Sequence, residues 1–121
     1  MVEVKFEELI KCVGKCLRIE SHGHMITYVK ADKVEKCPII PCEYIASITG
    51  PAFTFYTDEN KNAYIRTINK YWTALVENDM IYEVTEDEFI EVLNEKLFSA
   101  KVNLIKSVAN NNGKTGSTSK D

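Results

Sequence analysis

The stretch from Val84 to Val108 constrains the fold most, because it carries the clearest helix signal in the chain. Thr85 can cap this helix through its hydroxyl, and Glu88, three residues later, can reach back to the Thr85 amide. Val84 can pack on Phe89 across the same start. Apolar side chains then recur at three- and four-residue spacing, which predicts a helix with one face against a partner surface. That stripe comprises Phe89, Val92, Leu93, Leu97, Ala100, Leu104 and Val108.

The first part of the chain predicts one helix followed by a hairpin. Residues Val2 to Gly14 carry an apolar stripe, with a glycine positioned to end a helix. Segments 15–20 and 25–30 alternate between apolar and polar side chains around S-H-G-H, which predicts paired strands with Gly23 in the turn. The next twelve residues contain two prolines, and since proline cannot donate to a central ladder, we expect a loop or an edge strand there.

The middle of the chain predicts further strands. Residues 42–49 alternate, with Cys42 on the face that includes Ala46, and Gly50-Pro51 is expected to stop this strand. Segments 53–57 and 63–68 are β-branched and aromatic runs joined by D-E-N-K-N, which predicts a second hairpin. The run Y-W-T-A-L-V that follows fits a strand and a helical turn equally well, and a short strand is expected just before the capped helix.

These elements predict an α+β domain with an N-terminal helix, a bent antiparallel sheet of five to seven short strands, and a long C-terminal helix. The sheet is expected to form a roll or a small open barrel. A parallel sheet is disfavoured because its crossover connections need a helix between successive strands. Residues 1–109 are expected to form this single domain. Residues 110–121 contain no large apolar side chain to offset the entropy of ordering them, which predicts a flexible polar tail.

Composition and charge narrow the class of protein. Among 121 residues, 45% are hydrophobic and 27% charged, which is typical of a globular domain. The net charge of -3 disfavours binding to phosphate backbones, which requires clustered lysine and arginine. No run of about 18 apolar residues predicts a membrane span, and the acidic start does not resemble a secretion leader. We therefore expect a cytoplasmic protein that does not bind membranes.

Four cysteines and two histidines could together bind a metal ion, but their spacing along the chain does not favour a metal site. Structural zinc sites usually contain Cys-x2-Cys or a close variant in a tight turn. Here the cysteine pairs are four and five residues apart, and the histidines flank a glycine in a predicted turn. We expect the cysteines to be reduced thiols that pack as small apolar side chains. If the chain binds a metal, the ligands would come from Cys12, Cys16, Cys37, Cys42, His22 and His24.

Other candidate sites have structural explanations. The acidic cluster at residues 86–88 complements the dipole and the free amides of a helix start, so it does not indicate catalysis. The phosphate-binding and hydrolase motifs G-x-x-x-x-G-K-[ST], G-x-G-x-x-G, H-E-x-x-H and G-x-S-x-G are missing from the sequence. The strands F-T-F-Y and A-Y-I-R, with Arg66, resemble the aromatic platforms on which single-stranded nucleic acids stack, although the acidic balance disfavours this function.

The segment I-Y-E-V-T-E-D-E-F-I-E-V-L, residues 81–93, resembles a short strand and helix start found in small uncharacterised proteins of gut-bacterial phages and mobile elements. This resemblance covers roughly a tenth of the chain and includes little beyond the capping box. It implies an accessory or virion component of a phage, and it assigns no site residue.

The far end of the last helix is the best candidate for function. A helix over residues 86–108 would be about 35 Å long at about 1.5 Å per residue, which is longer than the core of so small a domain covers. We therefore expect a non-enzymatic structural or interaction module, without a cofactor, that binds a protein partner or a second copy. The predicted partner-binding residues are Leu97, Leu104, Ile105 and Val108. The alternatives are a small metal- or thiol-dependent enzyme that uses the cysteine and histidine set, and a single-strand nucleic-acid-binding module that uses the face from Phe53 to Arg66.

Overall fold

The computed structural model describes residues 1–21, 24–36, 45–58, 63–77 and 79–116. Within these residues the chain forms a seven-stranded sheet, a short 3-10 helix and one long α-helix. The elements in order are β1 (Val2–Glu3), the 3-10 helix (Phe6–Cys12), β2 (Cys16–Ser21), β3 (Met25–Lys30), β4 (Lys33–Lys36), β5 (Ile45–Thr57), β6 (Ala63–Glu77), β7 (Met80–Val84) and α1 (Glu86–Gly116). The predicted α+β class, with a bent antiparallel sheet and a C-terminal helix, is confirmed.

The sheet is antiparallel throughout its described pairs and curls into a half-barrel. Its strand order is β1-β7-β2-β3-β5, and β6 pairs with β5 along nearly the whole length of both strands. The other edge of β5 pairs with two strands, β4 at residues 46–49 and β3 at residues 52–56. The predicted pairing of β2 with β3, and the hairpin that joins β5 to β6, are both confirmed. The predicted turn glycine, Gly23, lies outside the described residues.

The expectation that Gly50-Pro51 stops a strand is wrong, because β5 passes through both residues. A Cβ atom at Gly50 would overlap the carbonyl oxygen of Lys30, so only glycine allows the two strands to approach so closely. The register also shifts here, since β6 carries an extra residue between the Gly50–Trp72 and Ala52–Asn69 pairs. Such a bulge increases local twist and accommodates a proline that cannot donate to the ladder.

The predicted N-terminal helix from Val2 to Gly14 is also wrong. Val2 and Glu3 instead pair with β7, and the Val4 amide donates to the Ile81 carbonyl at 2.8 Å. Only residues 6–12 are helical, in a 3-10 form with three residues per turn. Phe6, Leu9 and Cys12 therefore point to the core at a spacing of three, while Ile10 and Val13 are exposed. Because residues 2–4 hydrogen-bond to β7 at the edge of the sheet, they do not form the first turn of a helix.

Gly14 follows the 3-10 helix in the left-handed region, with φ of +88°. Its amide donates to the Ala31 carbonyl at 2.6 Å, and the Lys15 amide donates to the Cys12 carbonyl at 2.9 Å. Glycine adopts this backbone conformation at little cost. The predicted role of Gly14 in ending the N-terminal helical segment is consistent with this geometry.

Two apolar clusters form on the two sides of the sheet. On the side of α1, the cluster contains Cys16, Tyr28, Phe53, Phe55 and Val84, with Phe89, Val92 and Leu93 of the helix packed on it. On the other side, the cluster contains Leu9, Cys12, Leu17, Ile19, Val29, Ala31, Val34, Ala46, Ile48, Ala52, Val76 and Ile81. Alternation along the strands separates them, as in β2, where Cys16 and Leu17 belong to different clusters.

The helix α1 has 31 residues and extends past Val108 to Gly116. It therefore includes residues 110–116, which begin the segment predicted as a flexible polar tail. Residues 117–121 lie outside the described part of the chain. At about 1.5 Å per residue, α1 is about 46 Å long, which exceeds the roughly 30 Å diameter of a small domain.

Candidate functional site

The first turn of α1 is anchored to the sheet. The Glu88 amide donates a hydrogen bond to the Thr85 hydroxyl at 3.1 Å, and the Phe89 amide donates to the Thr85 carbonyl at 3.1 Å. The predicted cap by Thr85 is confirmed. The Glu88 carboxylate accepts a hydrogen bond from the Tyr28 hydroxyl of β3 at 3.1 Å. The acid of the predicted capping box thus joins the helix to the sheet.

Aromatic rings fix the first half of α1 on the sheet. Phe89 presents its edge to the ring of Phe53 at a centroid distance of 5.1 Å and to the ring of Tyr28 at 6.2 Å, with interplanar angles of 84°. Edge-to-face pairs are a favoured arrangement of aromatic rings. Val92 and Leu93 pack on the same cluster. The beginning of α1 is therefore part of the core.

After Leu93, large apolar side chains become scarce on the sheet-facing side of α1. Lys96 holds its ammonium nitrogen 5.0 Å from the ring centroid of Phe55, a cation–π arrangement. The half-buried residues that follow, up to residue 109, are Ser99, Ala100, Val102 and Asn103, and three of these four are small or polar. The helix α1 contacts β6. Apolar burial against the sheet thus declines toward the far end of α1.

Large apolar side chains remain exposed along the second half of α1. Phe98, Leu104 and Ile105 are 68%, 65% and 56% exposed. We call this surface the outer face, and it consists of Leu97, Phe98, Leu104, Ile105 and Val108. The predicted partner-binding set contains four of these residues and lacks Phe98. The seven-residue spacing from Phe98 to Ile105, which repeats the spacing from Leu97 to Leu104, is the signal that would have found it.

The apolar stripe of α1 is wider than the surface that the sheet covers. Leu97 and Leu104, which the periodicity assigns to one stripe with Phe89, lie on the flank of the contact and are exposed. Periodicity at three and four residues describes a broad arc of the helix, and a sheet contacts only part of that arc. Leu97, Leu104 and Val108 are therefore the members of the predicted stripe that the described residues leave exposed, and Phe98 and Ile105 extend the outer face beyond that stripe.

The strand that α1 contacts also exposes apolar side chains. In the described residues β6 pairs only with β5, so its second edge is open. Ile68, Tyr71 and Leu75 of β6 are all more than half exposed. Ile68 pairs with Phe53 and so lies on the helix side of the sheet. Apolar exposure is thus concentrated in two elements that contact each other.

The described cysteines lie apart from each other and from any cluster of metal-ligating side chains. Cys12 and Cys16 are buried, free thiols in the two different clusters. The Cys12 thiol donates to the Glu8 carbonyl at 3.9 Å. Burial raises the pKa of both thiols above the ordinary value. Among the residues that the structure describes, no group of three histidine, cysteine, aspartate or glutamate side chains could hold a metal ion.

The rest of the predicted cysteine and histidine set is not part of this geometry. His24 is exposed at the start of β3, with a left-handed φ of 61°. Cys37, Cys42 and His22 lie outside the described residues. A site that uses all six side chains therefore stays a prediction.

Two of the four aromatic rings in the predicted nucleic-acid platform, those of Phe53 and Phe55, lie beneath α1. Phe53 and Phe55 are 1% and 4% exposed, because their rings form the floor beneath the helix. Tyr56 and Tyr64 point to the other side, where their rings stack at 5.1 Å. A base needs an open aromatic face on which to stack. The F-T-F run thus serves as core and offers no platform to a ligand.

An open groove lies near the stacked tyrosines, on the side of the sheet opposite α1. Its volume is about 360 Å³, and it is lined by Met25, Thr27, Thr54, Arg66, Thr67, Trp72, Thr73, Ala74 and Leu75. The hydroxyls of Thr27 and Thr54 hydrogen-bond to each other at 3.1 Å. These two buried hydroxyls therefore satisfy each other and do not call for a ligand.

No helix within the described residues is both long enough and apolar enough to cross a membrane. Comparisons with protein-family models, with curated proteins and with solved structures find no match for this chain. Its candidate site therefore depends on its own geometry, which singles out the outer face of α1.

Proposed function

We propose that this protein is a non-enzymatic interaction module that docks on another protein surface through the outer face of α1. Its place would be that of an accessory component in a larger assembly, such as a phage particle. The single observation that carries the proposal is the exposure of Leu97, Phe98, Leu104, Ile105 and Val108 on one well-formed helix.

Two physical arguments support a docking role. Single exposed apolar side chains are normal on protein surfaces, whereas a contiguous group of them marks an interaction site. The five residues of the outer face extend over about 16 Å of helix, at about 1.5 Å per residue. A regular helix also presents such side chains with little loss of backbone entropy on binding, because its conformation already exists.

The decisive experiment compares the same type of substitution at two positions of α1. Leu104→Glu, on the outer face, should leave the melting temperature within about 2 °C of the wild type, because an exposed side chain contributes little to stability. Leu93→Glu, on the sheet-facing side, should lower the melting temperature strongly, because it buries a charge in the aromatic cluster. Circular dichroism during heating measures both.

Removal of residues 104–121 provides a second test. The shortened chain keeps Asn103, the last half-buried residue of α1 among those whose burial is described, and should fold with nearly the wild-type melting temperature. It should lose association with the protein's partner or with a second copy, measured by light scattering and by chemical cross-linking. Unfolding of this shortened chain, or of Leu104→Glu, would show that the outer face is core and would remove the proposal.

A further inference from the structure

The open groove on the side of the sheet away from α1 has a row of threonines. Thr27 of β3, Thr54 of β5 and Thr67 of β6 lie opposite one another across three neighbouring strands. All three line the groove, whose volume is about 360 Å³. The hydroxyls of Thr27 and Thr54 bond to each other, so they form a closed pair. Thr67 is the third member of the row, and its hydroxyl has no hydrogen-bond partner within the described residues.

A register shift in β6 brings Arg66 to the same groove. Thr67 pairs with Thr54, whereas Ile65 pairs with the next residue of β5. Arg66 lies between these two pairs and has no residue opposite it. Adjacent residues of a regular strand point to opposite faces of a sheet. Arg66 and Thr67 are adjacent and yet both line the groove, because a bulge re-aims a side chain.

The charge of the groove is opposite in sign to that of the whole chain. Arg66 is the one charged residue in its lining, which contains no aspartate or glutamate among the residues that the structure describes. In the full sequence, by contrast, 18 acidic residues outnumber 15 basic residues. The side chain of Arg66 is exposed, and none of the ion pairs between described residues includes it. A free guanidinium can bind a carboxylate or a phosphate through two parallel hydrogen bonds.

Trp72 adds an aromatic surface to the groove. It lies on this side of β6, because Val76 and Ala74, at alternate positions of the same strand, belong to the apolar cluster there or pack on it. Trp72 is 36% exposed, and none of the ring contacts between described residues includes it. A partly open indole ring can pack on a flat ring of a ligand while its N–H remains a donor. Met25 adds an apolar side chain to the same lining.

We propose that this groove binds a small molecule that combines one anionic group, a carboxylate or a phosphate, with a flat apolar ring. Arg66 pairs with the anionic group, the Thr67 hydroxyl donates to it, and the ring packs on Trp72. A volume of about 360 Å³ lies at the lower end of the roughly 300 to 1,000 Å³ that small-molecule sites occupy.

The size of the ligand follows from the number of cations. A single-stranded nucleic acid needs a row of basic side chains along its phosphates, whereas this groove supplies one guanidinium. One anionic group is therefore the match for the site. The groove and the outer face of α1 lie on different sides of the sheet, so this binding site does not depend on the proposed docking function.

The experiment titrates the full-length protein with benzoate and with phenyl phosphate at neutral pH. Amide NMR spectra and the fluorescence of Trp72, the single tryptophan of the chain, report binding. Both probes should bind saturably with a dissociation constant in about the millimolar range, since a ligand of so few atoms gains little binding free energy. They should shift the signals of the Trp72 indole N–H and the Thr67 amide. The tighter of the two probes identifies the anionic group.

Two further probes separate the charge from the ring. Benzyl alcohol has the ring without the charge, and acetate has the charge without the ring. Each should bind at least about tenfold more weakly than benzoate, because each keeps one of the two contacts. Equal binding of benzoate and either of these probes would overturn the proposal, and so would the absence of saturable binding well above the millimolar range.

The variant Arg66→Gln tests the place of the anionic group. It should raise the dissociation constant of benzoate and phenyl phosphate about tenfold or more, because a charged donor is lost. The matched control is Lys70→Gln, which removes the same charge from an exposed residue of β6 outside the groove and should bind as the wild type does. Both variants should keep the wild-type melting temperature, since both side chains are exposed. An unchanged dissociation constant in Arg66→Gln would overturn the proposal.

Discussion

The hydroxyl of Tyr28 donates a hydrogen bond to the carboxylate of Glu88 at 3.1 Å, and this bond joins the middle of the sheet to the first turn of the long helix. Tyr28 is 1% exposed, and its ring lies beside Phe53 and Phe89. A polar group in such surroundings needs a partner. Glu88 supplies that partner, and the bond adds a polar link to the aromatic contacts between the helix and the sheet.

Tyr28→Phe should lower the free energy of unfolding by about 1 to 3 kcal/mol, because it removes a hydrogen bond to a charged group. Tyr71→Phe is the matched control, since Tyr71 is exposed on β6, and it should change stability by less than about 0.5 kcal/mol. Urea denaturation followed by fluorescence measures both. Equal stability of the two variants would show that the bond to Glu88 contributes nothing.

Alkaline pH should lower the free energy of unfolding, because Tyr28 ionises there. Burial raises the pKa of Tyr28 to about 12 from its ordinary value of 10.0, while the charge of Arg18 opposes the shift. The unfolded chain therefore loses the Tyr28 proton at lower pH than the folded protein does. The stability due to this group is fully present below pH 10 and is lost as the pH rises to about 12. The stability difference between the wild type and Tyr28→Phe should narrow over this range, and a constant difference would contradict the raised pKa.

The thiols of Cys12 and Cys16 should resist alkylation in the folded protein. Both are buried, and burial raises the pKa of each thiol, so the reactive thiolate is scarce near neutral pH. Iodoacetamide treatment followed by peptide mass mapping should find both unmodified until denaturant is added. The denatured protein is the control, and rapid labelling of either cysteine without denaturant would show that its cluster opens readily.

Gly50→Ala should be more damaging than Gly14→Ala. A methyl group at Gly50 would overlap the Lys30 carbonyl oxygen, so the backbone of β3 or β5 must shift, at a cost of about 3 kcal/mol or more. Gly14 has open space around its Cβ position, and its substitution costs only the strain of a positive φ, about 1 to 2 kcal/mol. Urea denaturation of the two variants measures the difference. A mild effect of Gly50→Ala would show that the Lys30 carbonyl can move away at little cost.

The sequence alone predicts those elements that depend on residues close together in the chain. The cap of Thr85, the pairing of β2 with β3, and the hairpin of β5 with β6 all follow from residues close together in the chain. The apolar face of the last helix was also visible from periodicity. Periodicity does not reveal how much of that face the sheet covers, so the sequence-based prediction lacks Phe98 and assigns Leu97 to the same stripe as Phe89.

The tertiary structure decided the features that depend on residues far apart in sequence. Val2 and Glu3 leave a helical pattern because β7, some eighty residues later, offers an edge to pair with. Position 50 needs glycine because the Lys30 carbonyl lies against it, and the Glu88 carboxylate accepts a hydrogen bond from the distant Tyr28. Local sequence sets what each segment can form, and packing between distant segments selects one form, because burial and hydrogen bonding across the fold outweigh small local preferences.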